Sequence, residues 1–129
     1  MVDYQSVYRE WNWQMKKPKK FAFVNDAAER EYKDLPDKIQ DEFGKDLRRI
    51  QFDEEPRLSI THLDSIGSGV IELRKNGSPA FRCIYVAKYQ DAVVVLHAFA
   101  KTTNRVDRQA MKVAEQRLKE LLAGIKETH

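Results

Sequence analysis

The spacing of apolar side chains divides the chain into helical and extended stretches. Near the N-terminus, large apolar residues recur at steps of four, three and four, the period of a helix with one apolar face: Tyr4, Tyr8, Trp11 and Met15. The basic segment Lys16–Lys20, which contains Pro18, ends this pattern. We therefore predict that residues 1–20 form an aromatic and basic extension, packed on the core or exposed as a docking arm. Residues 21–129 are predicted to form one domain.

The next stretch predicts a short strand and a helical hairpin. Phe21–Val24 is apolar throughout and is typical of a strand. Asn25 or Asp26 is suited to cap a helix that runs to about Leu35, and Pro36 suits the first turn of a second helix. The second helix carries an apolar stripe at steps of four, four and three: Ile39, Phe43, Leu47 and Ile50.

The remainder of the chain predicts three successive antiparallel strands and a final helix. Breaks at 54–56 and 67–69 precede strands at about 70–75, 80–88 and 92–100. The last helix is predicted to start near Asn104, with Asp107 as a capping partner, and to end around Gly124. This order of elements predicts an α+β domain in which helices pack on one sheet.

Turn lengths determine which strand residues lie opposite each other. A three-residue turn between the first two strands pairs Arg74 with Arg82. The next turn places Arg82 opposite His97 or Phe99. Alternation then predicts one apolar face, covered by the helices: Ile71, Leu73, Phe81, Cys83, Tyr85, Val94, Leu96 and Ala98. The opposite face is predicted to have an apolar end of Ile84, Val86, Val93 and Val95 and a polar end of Arg74, Arg82, His97, Phe99 and Lys101.

The polar end of this second face brings two arginines into direct opposition. Like charges directly across an antiparallel pair are destabilising by up to about 1 kcal/mol. Glu72 lies on the same face and is able to neutralise one arginine, so one hypothesis is a structural ion-pair cluster. The other hypothesis is a preformed anion site, with Phe99 available to stack on a nucleotide base.

Composition excludes several classes of protein. The 129 residues are 42% hydrophobic and 33% charged, with five Gly and four Pro, which predicts a folded domain. No apolar run approaches the roughly 18 residues of a membrane span, and Met1–Tyr4 does not begin a secretory signal. The single cysteine, Cys83, excludes an intramolecular disulfide and a cysteine-based metal cluster. We therefore expect a cytoplasmic protein that does not contact a membrane.

Charge is distributed unevenly along the chain. Residues 21–66 hold seven basic and twelve acidic side chains, whereas residues 67–129 hold eleven basic and six acidic ones. A basic C-terminal half is suited to meet an anion such as nucleic acid, although it is also typical of ordinary solvated surface.

Several short motifs, in order and spacing, resemble those of a known family. They are Leu35-Pro36, Phe43-Gly44-Lys45-Asp46-Leu47, Gly69-Val70-Ile71-Glu72-Leu73-Arg74, Phe81-Arg82-Cys83-Ile84-Tyr85 and Leu96-His97-Ala98-Phe99-Ala100-Lys101-Thr102-Thr103. Over about residues 21–122 the chain resembles the phage-derived HigB branch of the RelE/ParE toxin superfamily. The resemblance implies a twisted antiparallel sheet with an N-terminal helical hairpin and a C-terminal helix.

The resemblance also implies a function and partners. Most HigB-like and RelE-like members are the toxins of type II toxin–antitoxin pairs and cleave messenger RNA in the ribosomal A site. The implied partners are the ribosome with its messenger RNA and a cognate antitoxin, usually a helix-turn-helix DNA-binding protein through which the complex oligomerises. Such cleavage needs no metal or other cofactor, because the RNA 2′-hydroxyl attacks the neighbouring phosphorus while cations stabilise the growing charge.

Four residues are the candidates for this chemistry. Arg74 and Arg82 fall where the family's strand arginines lie, and a guanidinium group matches phosphate oxygens in a bidentate fork. Lys101 matches the first lysine of the family's Phe-x-Lys-Lys-Thr motif, and two nearby arginines favour its deprotonation, so it is the first candidate for base or leaving-group acid. His97 is the alternative base.

The chain departs from the family pattern after Lys101. Thr102 replaces the usual second lysine, and Arg105 is the candidate to fill that basic position and bind RNA together with Phe99. Asp107 lies near the position of the proline that commonly starts the last helix. Two other functions stay open: a ParE-like inhibitor of DNA gyrase, and a non-catalytic module that binds nucleic acid or protein.

Overall fold

The computed structural model describes residues 17–101, 103 and 105–128. Over these residues the chain forms five strands: β1 (Lys20–Phe23), β2 (Ser59–His62), β3 (Val70–Lys75), β4 (Ala80–Val86) and β5 (Ala92–Lys101). It also forms three helices: α1 (Asp26–Lys33), α2 (Asp37–Gln51) and α3 (Arg108–Thr128). The predicted aromatic stripe over residues 1–15 lies outside the described residues, and the domain division after residue 20 stays a prediction.

The strands form one mixed sheet in the order β1-β5-β4-β3-β2. Strands β2 to β5 are antiparallel neighbours, and β1 joins the free edge of β5 in parallel. The predicted α+β class, the helical hairpin and the C-terminal helix are confirmed. The sequence prediction omitted β2, because its four residues, Ser-Ile-Thr-His, are too short and polar to produce a clear alternating pattern.

Helices α1 and α2 follow the predicted signals closely. The side chain of Asn25 accepts a hydrogen bond from Ala28 N and so caps α1. The helix ends at Lys33, two residues earlier than expected. Pro36 stands immediately before α2. The four apolar residues of the α2 stripe are all buried: Ile39, Phe43, Leu47 and Ile50.

The bounds of α3 correct the prediction at both ends. The helix begins at Arg108 rather than near Asn104, and Asp107 is itself the cap, since its Oδ1 accepts from Ala110 N at 3.0 Å. The helix also continues past Gly124 to Thr128. A glycine inside a helix costs only about 1 kcal/mol relative to alanine, so the flanking residues carry the helix through it.

Helices cover both faces of the sheet, which corrects the prediction that the helices cover one face. On one face α2 packs over Leu73, Cys83 and Tyr85; on the other, α3 packs over Ile84 and Val86 through Ala114 and Leu118. The face assignment within β5 was wrong for four residues: Val93 and Val95 lie on the α2 face, and Val94 and Leu96 lie on the α3 face.

A β-bulge explains this error. Ile84 pairs with His97, whereas the next residue of β4, Tyr85, pairs with Val95, so β5 holds one extra residue at this point. The alternation of side chains between the two faces of β5 shifts by one residue at the bulge. Residues before the bulge therefore lie on the face opposite to the one that uninterrupted alternation predicts. Residues after the bulge lie on the faces that were predicted for them.

Candidate functional site

The register of β3, β4 and β5 assembles most of the predicted site. Arg74 lies opposite Arg82 on β3 and β4, as predicted, and Phe99 of β5 lies on the other side of Arg82. Lys101 is two residues beyond Phe99 and shares its face. The turn before β4 allows this pairing through Gly77, whose φ of 149° is a conformation that other residues rarely adopt.

The site lies beside the start of α3, whose Arg108 and Met111 line two of its cavities. A surface cavity of about 670 Å³ is lined by Arg74, Arg82 and Lys101 together with the β3–β4 turn. A smaller cavity of about 230 Å³ shares these three cations and adds Glu72 and Phe99. A third, of about 930 Å³, runs from Lys101 past Thr103 to Arg105, Asp107 and Arg108 at the start of α3.

Arg82 is a buried cation with unused hydrogen-bonding capacity. The residue is 5% exposed, and its Nη1 donates to the carbonyl oxygen of Phe81 at 3.0 Å. Its buried Nε has no hydrogen-bond partner among the described residues. Burial lowers the pKa of Arg82, against the favourable charge of Glu72. The group remains cationic because arginine titrates far above neutral pH. Buried polar groups without a partner are rare and call for an explanation.

Glu72 is the acidic group in the wall of this site. Its Oε1 lies 3.7 Å from Arg82 Nε, which is an ion pair too long for a hydrogen bond. Burial raises the pKa of Glu72, although the charges of Arg82, Lys101 and Arg74 oppose the rise. Sequence reasoning assigned Glu72 only to charge neutralisation.

His97 occupies a different environment from the other candidates. Its Nδ1 lies 2.8 Å from Glu31 Oε1, and its ring stacks on Phe99 at a centroid distance of 4.9 Å. Arg117 donates to both oxygens of Glu31, at 2.6 and 2.8 Å, and to the carbonyl oxygen of Leu96. His97 is not among the residues lining the three cavities described above.

The charged residues that contact His97 were not predicted from the sequence. Glu31 lies in α1 and Arg117 in α3, and no local motif links either residue to β5. Burial alone would raise the pKa of Glu31, but hydrogen bonds from Arg117 and His97 outweigh it, so the pKa lies below its ordinary value. The Glu31, His97 and Arg117 side chains therefore form a paired network that joins three elements.

Other reactive groups lie away from the site. Cys83 is fully buried, and burial raises the pKa of its thiol to about 12, which keeps it protonated and unreactive. Over the part of the chain that the structure describes, no group of three or more His, Cys, Asp or Glu side chains is arranged to hold a metal ion. No helix among these residues is long and apolar enough to cross a membrane.

Comparison with known proteins finds a matching family and a similar solved structure. A chain in the crystal structure of the toxin–antitoxin complex RelBE2 from Mycobacterium tuberculosis is similar with 19% identity and a TM-score of 0.42, over 67% of this chain and 94% of that chain. No curated protein matches in sequence. The sequence model of the family described as phage-derived protein Gp49-like (DUF891) matches residues 30–119, which include every site residue discussed above. This match spans more than half of the chain, and the protein belongs to the phage-derived Gp49-like family.

Proposed function

We propose that this protein is the toxin of a type II toxin–antitoxin pair, of the HigB branch of the RelE/ParE superfamily, and that it cleaves messenger RNA on the ribosome. The observation that carries the proposal is the cavity in which Arg74, Arg82 and Lys101 meet. Among the described residues, three cations and no carboxylate line this cavity, and the smaller cavity beside it sets the same three cations against Glu72 and Asp107, which favours a bound polyanion. The HigB-like motifs lie within the region matched by the Gp49-like family.

The proposed reaction is an in-line displacement at phosphorus. The 2′-oxygen of the RNA attacks the adjacent phosphorus, and negative charge grows on the non-bridging oxygens. We assign Arg82 and Arg74 to donate to these oxygens; the assignment is supported by their direct opposition in the sheet and by the cavity that both line. The chemistry we propose uses these side chains and requires no metal.

Lys101 fits the proton-transfer role better than His97. Lys101 borders all three cavities of the site, whereas the His97 ring faces Glu31 and Phe99. We therefore assign Lys101 to protonate the leaving 5′-oxygen and His97 to support the Phe99 ring from behind. Phe99 offers a flat apolar wall for a base, and exposed Arg105 offers a charge for a neighbouring phosphate.

The proposed function implies its partners. The ribosome presents the messenger RNA to the cavity, and an antitoxin, expected to be a helix-turn-helix DNA-binding protein, covers the site until it is degraded. Higher assembly is expected through the antitoxin. All of these partners are found in the cytoplasm of a bacterium.

Induction in growing bacteria tests this proposal. The wild-type chain and the variants Arg74→Ala, Arg82→Ala and Arg30→Ala are expressed, and new messenger RNA ends are mapped by sequencing. Arg30 is an exposed arginine of α1 that is not among the residues lining the three cavities, and it serves as the matched control. We expect growth arrest with cuts inside translated frames, lost in the two site variants and kept in the control.

Two other outcomes would contradict the proposal. Arrest without new RNA ends would favour the gyrase inhibitor, and purified gyrase would then be assayed for loss of supercoiling. No arrest by the wild-type chain at any expression level would favour a non-catalytic binding module, in which the 3.7 Å contact between Glu72 and Arg82 is only a structural ion pair.

A further inference from the structure

Glu72 is a buried acidic group that the proposed reaction leaves without a role. The residue is 9% exposed and lines the smaller cavity together with Arg74, Arg82 and Lys101. We propose that Glu72 is the general base that removes the proton from the attacking 2′-hydroxyl, which leaves Lys101 as the acid. This inference rests on the proposed RNA cleavage and assigns its missing base.

The sheet register places Glu72 and Lys101 on opposite sides of Arg82. Arg82 pairs with Arg74 on β3 and with Phe99 on β5. Glu72 precedes Arg74 by two residues and Lys101 follows Phe99 by two, so they occupy opposite diagonal positions around Arg82 on one face. In-line displacement needs this arrangement, because the attacking and leaving oxygens lie on opposite sides of the phosphorus held by the arginine.

The environment of Glu72 suits a base. Its carboxylate lies 3.7 Å from Arg82 Nε, so a phosphate held by that guanidinium has the carboxylate beside it. The charged groups around it are Arg82, Lys101, Arg74 and, from the start of α3, Asp107. Burial raises the pKa of Glu72 toward neutrality, which makes its ionised form a better proton acceptor. The carboxylate therefore meets the attacking hydroxyl as a base, and its charge also keeps Arg82 aligned.

The step balances with these groups alone. The 2′-O–H bond breaks and its proton passes to a Glu72 oxygen while the 2′-oxygen forms a bond to phosphorus. The bond from phosphorus to the 5′-oxygen breaks, and Lys101 donates a proton to that oxygen. The products are a 2′,3′-cyclic phosphate and a 5′-hydroxyl, and proton exchange with solvent restores Glu72 and Lys101.

Single-turnover cleavage on programmed ribosomes tests the role of Glu72. A messenger RNA with a cut site mapped for the wild-type chain is cleaved by wild type, Glu72→Gln, Glu72→Asp and the control Glu55→Gln, which changes an exposed glutamate. We expect Glu72→Gln to be slower by about 10²- to 10⁴-fold, the usual contribution of general acid–base catalysis, with ribosome binding unchanged. Glu72→Asp should fall between these rates, and Glu55→Gln should match wild type.

The pH profile and a modified substrate separate a base from a structural carboxylate. The wild-type rate should rise with pH as Glu72 ionises, and this limb should vanish in Glu72→Gln. With sulfur in place of the scissile 5′-oxygen, the leaving group needs no acid. Lys101→Ala should then regain most of its activity, and Glu72→Gln should not.

Each outcome decides the inference. If wild type cuts but Glu72→Gln cuts within threefold of it with the same pH profile, Glu72 is not the base, and the proposed function stands. Rescue of Glu72→Gln by the sulfur substrate would make Glu72 the acid and overturn the assignment. Should Glu72→Gln melt below the assay temperature, Glu72→Asp and the wild-type pH limb decide instead. A wild-type chain that cuts no RNA overturns both proposals.

Discussion

Two charged clusters meet the same strand, β5, and differ in how fully their charges are paired. In the network cluster (Glu31, His97 and Arg117), each oxygen of Glu31 accepts a hydrogen bond from Arg117, and Arg117 also donates to the carbonyl oxygen of Leu96. In the cavity cluster (Arg74, Arg82, Lys101 and Glu72), Arg82 has an unpartnered Nε and its nearest carboxylate lies 3.7 Å away. Burial with complete pairing supports the fold, whereas burial with incomplete pairing is suited to a missing anion.

The balance of positive and negative charges also distinguishes the network cluster from the cavity cluster. The network cluster pairs one carboxylate with one guanidinium in a bidentate contact, which leaves little potential for another ion. The three cations of the cavity cluster share the smaller cavity with Glu72, which burial holds less acidic, and with Asp107. A phosphate would supply the charge that the protein itself lacks. The stacked rings of His97 and Phe99 join the two clusters, so the paired network supports one wall of the cavity.

Replacing the central arginine of the cavity cluster should have the largest effect. Arg82→Ala should slow single-turnover RNA cleavage by about 10²- to 10³-fold, the usual loss when one preorganised donor to a developing oxyanion is removed. Its free energy of unfolding in urea should change by less than about 1 kcal/mol, because a poorly paired buried cation contributes little to stability. A variant that unfolds, or that cleaves as wild type does, would remove Arg82 from the proposed active site.

The corresponding change in the network cluster should affect stability instead. Arg117→Ala leaves the Glu31 carboxylate facing His97 without its bidentate partner. We expect a loss of about 2–3 kcal/mol in urea denaturation, below the value for a fully buried pair because the Glu31 side chain is 31% exposed. Cleavage per folded molecule should stay within a few-fold of wild type. If Arg82→Ala lost as much free energy of unfolding as Arg117→Ala, the two clusters would not differ in their contribution to stability.

The two glutamates should impose opposite pH dependences on stability, with smaller amplitudes. Folding lowers the pKa of Glu31. The ionised Glu31 therefore contributes to the stability of the fold above its unfolded pKa of about 4.3, and this contribution is lost as pH falls through the lower folded pKa. The pKa of Glu72 is raised, so its contribution is present below about 4.3 and is lost as pH rises through the higher folded value.

Urea denaturation at a series of pH values measures this difference. Relative to wild type, the destabilisation of Glu31→Gln should grow as pH increases from acid to neutral. Glu72→Gln should instead gain stability relative to wild type as pH increases, because it lacks the Glu72 contribution that the wild type loses. If the stability of both variants changed with pH in the same way relative to wild type, the pKa values of Glu31 and Glu72 would not be shifted in opposite directions.

Local signals predicted the part of the cavity cluster that depends on turns and alternation. The opposition of Arg74 and Arg82 followed from the length of one turn, and the shared face of Phe99 and Lys101 followed from strand alternation. The apolar stripe of α2 was also predicted correctly, since its period is undisturbed. These features depend on residues within about 30 positions of each other along the chain.

Features set by distant contacts were not predictable in this way. The bulge in β5 adds one residue without any glycine or proline to mark it, so the faces of Val93 and Leu96 were exchanged. Glu31 and Arg117 stand 86 positions apart and meet only because α1 and α3 both pack against β5. The sequence therefore places His97 among the candidate bases without indicating that its ring contacts Glu31.

The smallest predicted effect concerns the outer edge of the cavity cluster, where exposed Arg105 borders the third cavity. If it contacts a neighbouring phosphate, Arg105→Ala should weaken binding of a 2′-O-methyl RNA, which resists cleavage, by about three- to tenfold for every sequence tested. The slope of log affinity against log salt should fall by about one, because one fewer phosphate is neutralised. The control Arg30→Ala should alter neither quantity in fluorescence anisotropy. An unchanged slope in Arg105→Ala would confine RNA contacts to the cavity cluster and leave Arg105 as solvated surface.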